Sequence, residues 1–205
     1  METIELALDG YTDLPPGKIA NVVTYFEMTG RPPPGKPASA LPGLSVRAVT
    51  APTTAWYRDL YRRIGEDWLW FARAVMPNEV LAALLADPAT EILTLRRDDG
   101  EAVGLAELHH GLGEVEIAMF GVVPEATGTG AARFLMDKAL DRAWESGIGR
   151  VWLHTCSFDH PAAVRFYTRA GFRPYKFAIE ISDDPRLTGH LPDSAGPHVA
   201  LIRKT

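Results

Sequence analysis

A single cysteine, Cys156, is the first scarcity in this chain of 205 residues. It excludes an intrachain disulfide and a cysteine-rich zinc site. Runs of lysine and arginine are missing too. The 21 basic side chains are outnumbered by 26 acidic ones, for a formal charge of −5, and no basic stripe suited to a nucleic acid backbone is present. No apolar run approaches the length of a membrane span. The opening METIE has neither the basic flank nor the apolar centre of a signal peptide. These absences predict a cytoplasmic protein with no metal, no nucleic acid and no membrane partner. The mild acidity is compatible with a cationic or amine-bearing substrate. A hydrophobic content of 46% against 23% charged residues predicts a packed core.

Proline and glycine, by contrast, are plentiful and unevenly placed. Pro15-Pro16-Gly17 and the stretch RPPPGKP at 31–37 bracket a β-branched and aromatic run at 19–28. Residues 1–42 therefore read as an N-terminal arm with one strand and a proline-rich linker, and 43–205 as the main domain. In the domain, 44–49 reads as a strand. Trp56, Tyr57, Leu60, Tyr61 and Ile64 recur at helical spacing, as do Trp68, Phe71, Ala72 and Val75. Two-residue spacing on a helix sends Trp68 and Trp70 to different sides, so the two are not expected to face inward together. A short helix follows Pro77. Then come strands at 92–95, 102–109 and 114–123, with Asp99-Gly100 as a hairpin signal. A helix led by Ala132 and Leu135 precedes a strand at 151–156. A helix at 161–170 is stopped by Gly171, and strands follow at 177–181 and 198–202. This order predicts an α/β fold: a mixed, mostly antiparallel central sheet, helices on both faces, and one parallel, right-handed strand–helix–strand crossover across 114–156.

Two segments carry the chemistry. In VVPEATGTGAA, 122–132, a strand runs into a proline, a turn with two glycines and a helix. Such a turn leaves backbone N–H groups free at a helix N-terminus, suited to a phosphate or pyrophosphate. A P-loop would need Gly-Lys-Ser/Thr there. A Rossmann turn would need a small residue where Arg133 stands, and Asp159 comes too late for its ribose acid. The second segment, HPAAVRFYTRAGF at 160–172, lies one strand later.

Together these segments resemble the GNAT superfamily of acetyl-CoA-dependent N-acetyltransferases, over about residues 44–182. The glycine turn stands at the family's Arg/Gln-x-x-Gly-x-Gly/Ala motif, and the second segment follows its Asn-x-x-Ala-x-x-Phe/Leu-Tyr-x-x-x-Gly-Phe motif. There are two departures. No Arg or Gln occurs in the turn, where Thr127 directly precedes the first glycine, and His160 replaces the usual Asn. The resemblance implies a GNAT-like fold and acetyl-CoA as cosubstrate, with no metal. It implies a cofactor-binding set of Phe120, Val122, Thr127, Gly128, Thr129, Gly130, Ala131, Ala132, His160 and Tyr167. It also implies direct transfer of acetyl to an amine of a small molecule or protein, with a homodimer left open. The alternative is a non-catalytic acyl-CoA-binding or sensor protein on the same fold.

Acetyl transfer poses a proton problem at each end. An alkylamine of pKa about 10.4 is roughly one part in a few thousand neutral at pH 7, so it needs a base. The resemblance assigns that role to Glu116. Strand alternation puts Glu114, Glu116, Ala118 and Phe120 on one face and Val115, Ile117 and Met119 on the other. Glu107 and His154 are further candidates for a relay through water. The leaving thiolate needs a proton, which the resemblance assigns to the Tyr167 phenol. The backbone N–H of Phe120 is the implied donor to the thioester carbonyl.

Overall fold

The computed structural model describes residues 3–31, 41–145 and 147–203. Most of the proline-rich stretch expected as a linker lies outside the described residues. Among the described residues, seven strands form one sheet: β1 (Lys18–Met28), β2 (Leu44–Ala48), β3 (Thr90–Arg97), β4 (Ala102–His110), β5 (Glu114–Val122), β6 (Arg150–Cys156) and β7 (Arg173–Asp183). Their spatial order is β2-β3-β4-β5-β6-β1-β7. The strand expected in an N-terminal arm is thus an interior strand, antiparallel to both β6 and β7. Every ladder is antiparallel except β5–β6, which is parallel for three pairs only, Glu114 with Arg150 to Glu116 with Trp152. Beyond Glu116 the two strands part.

Four α-helices among the described residues flank the sheet: α1 (Thr54–Gly65), α2 (Asn78–Ala86), α3 (Ala131–Trp144) and α4 (Ala163–Ala170). Two glycines show that they cover both faces. A Cβ on Gly104 would come within 3.1 Å of Leu135 on α3. Gly121, opposite the next residue Leu105, would bring one within 2.5 Å of Ile64 on α1. The helices stand where apolar periodicity predicts, with Tyr57, Leu60, Tyr61 and Ile64 buried from α1 and Leu135, Met136, Ala139 and Ala143 from α3. Thr53 Oγ1 caps α1 by accepting from the Trp56 N–H at 3.2 Å.

The helix expected around 68–75 does not form. After one 3₁₀ turn at Glu66–Trp68, Leu69 adopts a left-handed conformation, φ 51°. Trp70 folds back, its N–H donating to the Gly65 carbonyl at 2.9 Å. Gly65 has to be a glycine, since a Cβ there would lie 2.3 Å from the Trp70 ring. The strand expected at 198–202 is also absent. The carbonyls of Val199 and Ala200 accept instead from the Arg186 guanidinium, which pairs with Asp184 at 2.7 Å, and both charged side chains are almost wholly buried. Burial alone would raise the Asp184 carboxyl, but the bonds from Arg186 hold it below its ordinary range.

Candidate active site

The gap between β5 and β6 is the centre of the site, and two adjoining cavities meet beside it. One, of about 240 Å³, is bounded by Phe120, Val122, Thr127, Gly128, Ala132, His160 and Tyr167, all expected site residues, with Ile64 and Gly121 from the sheet and α1. Gly128 and Gly130 have φ of 78° and 90°, which a side chain would strain. The N–H groups of Gly128, Thr129 and Gly130 find no acceptor among the described residues. Thr129 turns inward: its hydroxyl donates to the Ala126 carbonyl at 2.7 Å and accepts from the Ala131 N–H at 3.3 Å, tying the turn to the head of α3. The side chains of Thr129 and Ala131 are not part of the cavity wall, and neither is Gly130. What the turn presents is open backbone, which suits an anionic group. His160 accepts from the Ala162 N–H through Nδ1 at 3.0 Å, and its ring lies 4.8 Å from that of Trp68.

The strand edge contributes donors as well. Val123 N–H donates to the Val103 carbonyl at 2.9 Å, towards β4. Alternation then turns the backbone groups of Val122 and Phe120 the other way, into the gap.

A second cavity, of about 120 Å³, shares Trp68, Trp70, Phe120, Asp159 and Tyr167 with the first and extends to Asn21, Phe71, His154, Cys156 and Glu180. Both tryptophans line it. The left-handed Leu69 removes the helical spacing that would have separated them. Tyr167 stands at the junction, its phenol hydroxyl without a hydrogen-bond partner among the described residues. Burial, then the nearby Asp159 charge, pushes the phenol well above its ordinary range, so it stays protonated. Asp159 is fastened by the Trp70 indole N–H at 2.8 Å and by the Thr155 hydroxyl. Cys156 is half-buried beside it, and its thiol is pushed up to about 11 by burial and by Asp159, which makes it a poor nucleophile at neutral pH.

Glu116 lies on neither cavity wall but reaches the second through His154, whose Nε2 is 3.9 Å from its carboxylate. The alternation expected along β5 is interrupted. Leu108 pairs with Ile117 and Glu107 with Met119, so Ala118 is a bulge. Glu116 therefore shares a face with His109, its cross-strand partner, and with Met119 and Gly121, and not with Phe120. Behind it stands a buried network of which only Glu107 was expected to serve the chemistry. Glu107, fully buried, accepts from the Tyr57 hydroxyl, from Arg73, and from His109 Nε2 at 2.7 Å. Burial alone would raise its carboxyl. The bonds from His109, Arg73 and Tyr57, with the Arg73 charge, outweigh that and bring it to about 2. Glu107 is thus a fixed anion rather than a base. Because it can only accept, His109 turns Nδ1 towards Glu116, 3.8 Å away, a gap that a water can bridge. Glu116 has the opposite bias. Burial raises its carboxyl, opposed by the charges of His109, His154 and Arg73. A proton taken by Glu116 can thus pass to His109 with the Glu107 anion behind it. Arg73, a lone arginine in the apolar run FARAVMP, is a further sequence signal of this network.

The wall bearing Trp68 is backed by the chain's C-terminal segment. Gly196 donates to the Glu66 carbonyl at 3.0 Å, and a Cβ on it would lie 2.2 Å from Leu69. His198 packs 5.4 Å from the Trp68 ring and bonds the Phe158 carbonyl at 2.8 Å.

The model of the acetyltransferase (GNAT) family matches residues 53–172. An uncharacterized N-acetyltransferase of Mycobacterium tuberculosis is 39% identical over 104 residues, which is 50% of this chain, and one of Mycobacterium bovis is equally similar. The chain spans 65% of the length of these curated relatives. Among solved structures, a GCN5-related N-acetyltransferase from Sphaerobacter thermophilus superposes with a TM-score of 0.59 at 18% identity, over 80% of this chain and 52% of that one. The ribosomal-protein-S18-alanine N-acetyltransferase of Escherichia coli gives 0.53 at 15% identity, over 69% and 94%. At these identities the likeness is one of fold.

Proposed function

From the premise that the chain belongs to the GNAT acetyltransferase family, we propose that it transfers acetyl directly from acetyl-CoA to an amine of a small molecule or a protein. The observation that carries this reading is the pair of cavities meeting at Phe120 and Tyr167, one ending in unpaired glycine-turn amides and the other in reach of His154 and Glu116. The free N–H groups of Gly128 to Gly130 and the open space above Gly128 suit a pyrophosphate. No metal-ligand cluster exists among the described residues. Acetyl-CoA, when bound, supplies the activated thioester.

The protein's own groups do the rest. The outward N–H of Phe120 can polarise a carbonyl in the gap. Glu116, raised by burial, takes the amine proton by way of water and His154, and His109 relays it onwards. Tyr167 holds a proton at its phenol oxygen for the departing sulfur. A thiol of pKa about 8.5 against a phenol near 10 or above makes full transfer uphill, so donation accompanies cleavage. The high pKa of Cys156 favours direct attack by the amine over a cysteinyl intermediate.

A panel of amines assayed for thiol release from acetyl-CoA tests the proposal. Release that depends on one class of amine supports it. A thermal shift with acetyl-CoA and no turnover on any amine makes the protein an acyl-CoA binder or sensor. No shift at all ends the reading.

A further inference from the structure

β7 is the outermost strand beyond β1, and its outer side is bare among the described residues. The direction of its peptide groups follows from its neighbours. Ser157 N–H donates to the Val22 carbonyl, and Val22 N–H donates to Ser157 Oγ. Val22 thus turns both backbone groups away from β7, and Val23 turns both towards it. Val23 stands opposite Ala178, so the groups of Ala178 are spent on β1. Asp184 N–H, donating to the Gly17 carbonyl, is in phase with this. The groups of Phe177, Ile179 and Ile181 therefore point outwards, and no described residue bonds them. The side chains of these residues are exposed as well, Phe177 at 73% and Ile179 at 52%, with exposed Val22 beside them on β1. A long apolar edge with unpaired peptide groups is a template for another strand.

The charges say which strand. Antiparallel pairing of β7 with itself about a two-fold axis at Ala178 sets residue 177 against 179 and residue 176 against 180. Phe177 then faces Ile179, and Lys176 faces Glu180, each twice. The outward groups of Phe177 and Ile179 are the ones such a pair exchanges, while the spent groups of Ala178 face each other without bonding. Nothing of like charge is opposed. Tyr175 is shifted out of the ladder by the irregularity beside Tyr25, so the self-complementary stretch is 176–180.

We propose that the β7 edge binds a second copy of this chain, joining two seven-stranded sheets into one through 176–180. Glu180 also lines the second cavity, so the rim of that cavity lies beside Lys176 of the other copy. The pairing is independent of the proposed chemistry.

Sedimentation of the full chain over a concentration series tests it, with melting curves to show that each variant is folded. The wild type is expected to be a dimer that dissociates on dilution. Phe177→Glu should weaken it at least tenfold, roughly the combined loss of two apolar cross-strand contacts. Lys176→Glu and Glu180→Lys each create two like-charge pairs and should each weaken it by roughly a factor of ten, while the double variant restores opposite charges and recovers most of the loss. A chain monomeric at every concentration overturns the proposal. So does a dimer indifferent to Phe177→Glu, or a double charge variant no better than the singles.

Discussion

The far ends of the two cavities that meet at Tyr167 are built by opposite means. The glycine-turn end of the first is backbone from one contiguous stretch, with Gly128 and Gly130 in left-handed conformations and their amides left open. The other side is made of side chains brought from Asn21, Trp68, Trp70, His154, Asp159 and Glu180, and backed by a buried ionic network. A backbone site tolerates changes of side chain but not of dihedral angle. A side-chain site depends on every member of its network. The absence of an Arg or Gln from the turn is consistent with this, since what the turn offers is N–H groups.

The largest test of that contrast is Glu107→Ala. It leaves Arg73 buried without its partner, and breaking a buried pair in this way costs about 3–5 kcal/mol. Chemical denaturation should show a loss of that size, with acetyl-CoA affinity little changed in the folded fraction. Wild-type stability should follow the same carboxylate. Its folded pKa of about 2 lies below the ordinary 4.5, so its contribution is complete above about pH 4.5 and is lost as pH falls towards 2. The next largest effect belongs to the junction. Tyr167→Phe removes one oxygen and keeps the ring packing against Phe26, Phe120 and Phe172. Turnover should fall roughly 10²-fold or more with acetyl-CoA binding intact. Full turnover in that variant would assign the proton to water.

On the backbone side, Gly128→Val strains a φ of 78° where no neighbour obstructs a side chain. Acetyl-CoA at about 100 times its dissociation constant should stabilise the wild type by about 2.7 kcal/mol, and the variant visibly less, as read from the thermal shift. If the two shift equally, the open amides are not the anion site. The smallest effect on stability is expected from Glu116→Gln. Burial raises the Glu116 pKa, so the ionised form costs stability above that pKa, a cost that is relieved as pH falls through it. The variant should match or slightly exceed the wild type in melting at neutral pH. Its pH–rate profile should nonetheless lose the limb that reports amine deprotonation.

The same contrast explains what could be read in advance. The helix periodicity of 54–65 and 131–144, the Asp99-Gly100 hairpin and the two motif segments are local, and they stand where expected. The second cavity was not legible because its residues meet only in three dimensions. An ordinary leucine, Leu69, gives no sign of taking a left-handed turn, so both tryptophans could not be placed in the cleft. The bulge at Ala118 is invisible in an unbroken apolar run, and it reassigns the face of Glu116. Residues 198–202 read as a strand because their apolar side chains carry no mark of Arg186, which takes their carbonyls. The position of β1 was equally hidden, since both of its partners lie far downstream.

That last feature sets a schedule for synthesis. Lys18 at the start of β1 pairs with Asp183, and Met28 with Val151. At about 5–20 residues per second, a ribosome spends on the order of ten seconds or more between making β1 and releasing the strands that hold it. Throughout that interval Val23, Phe26 and Met28, buried in the finished molecule, have no sheet to enter. The nascent chain therefore carries an apolar segment without its native partners, and the sheet closes around β1 only after its two neighbours have been made.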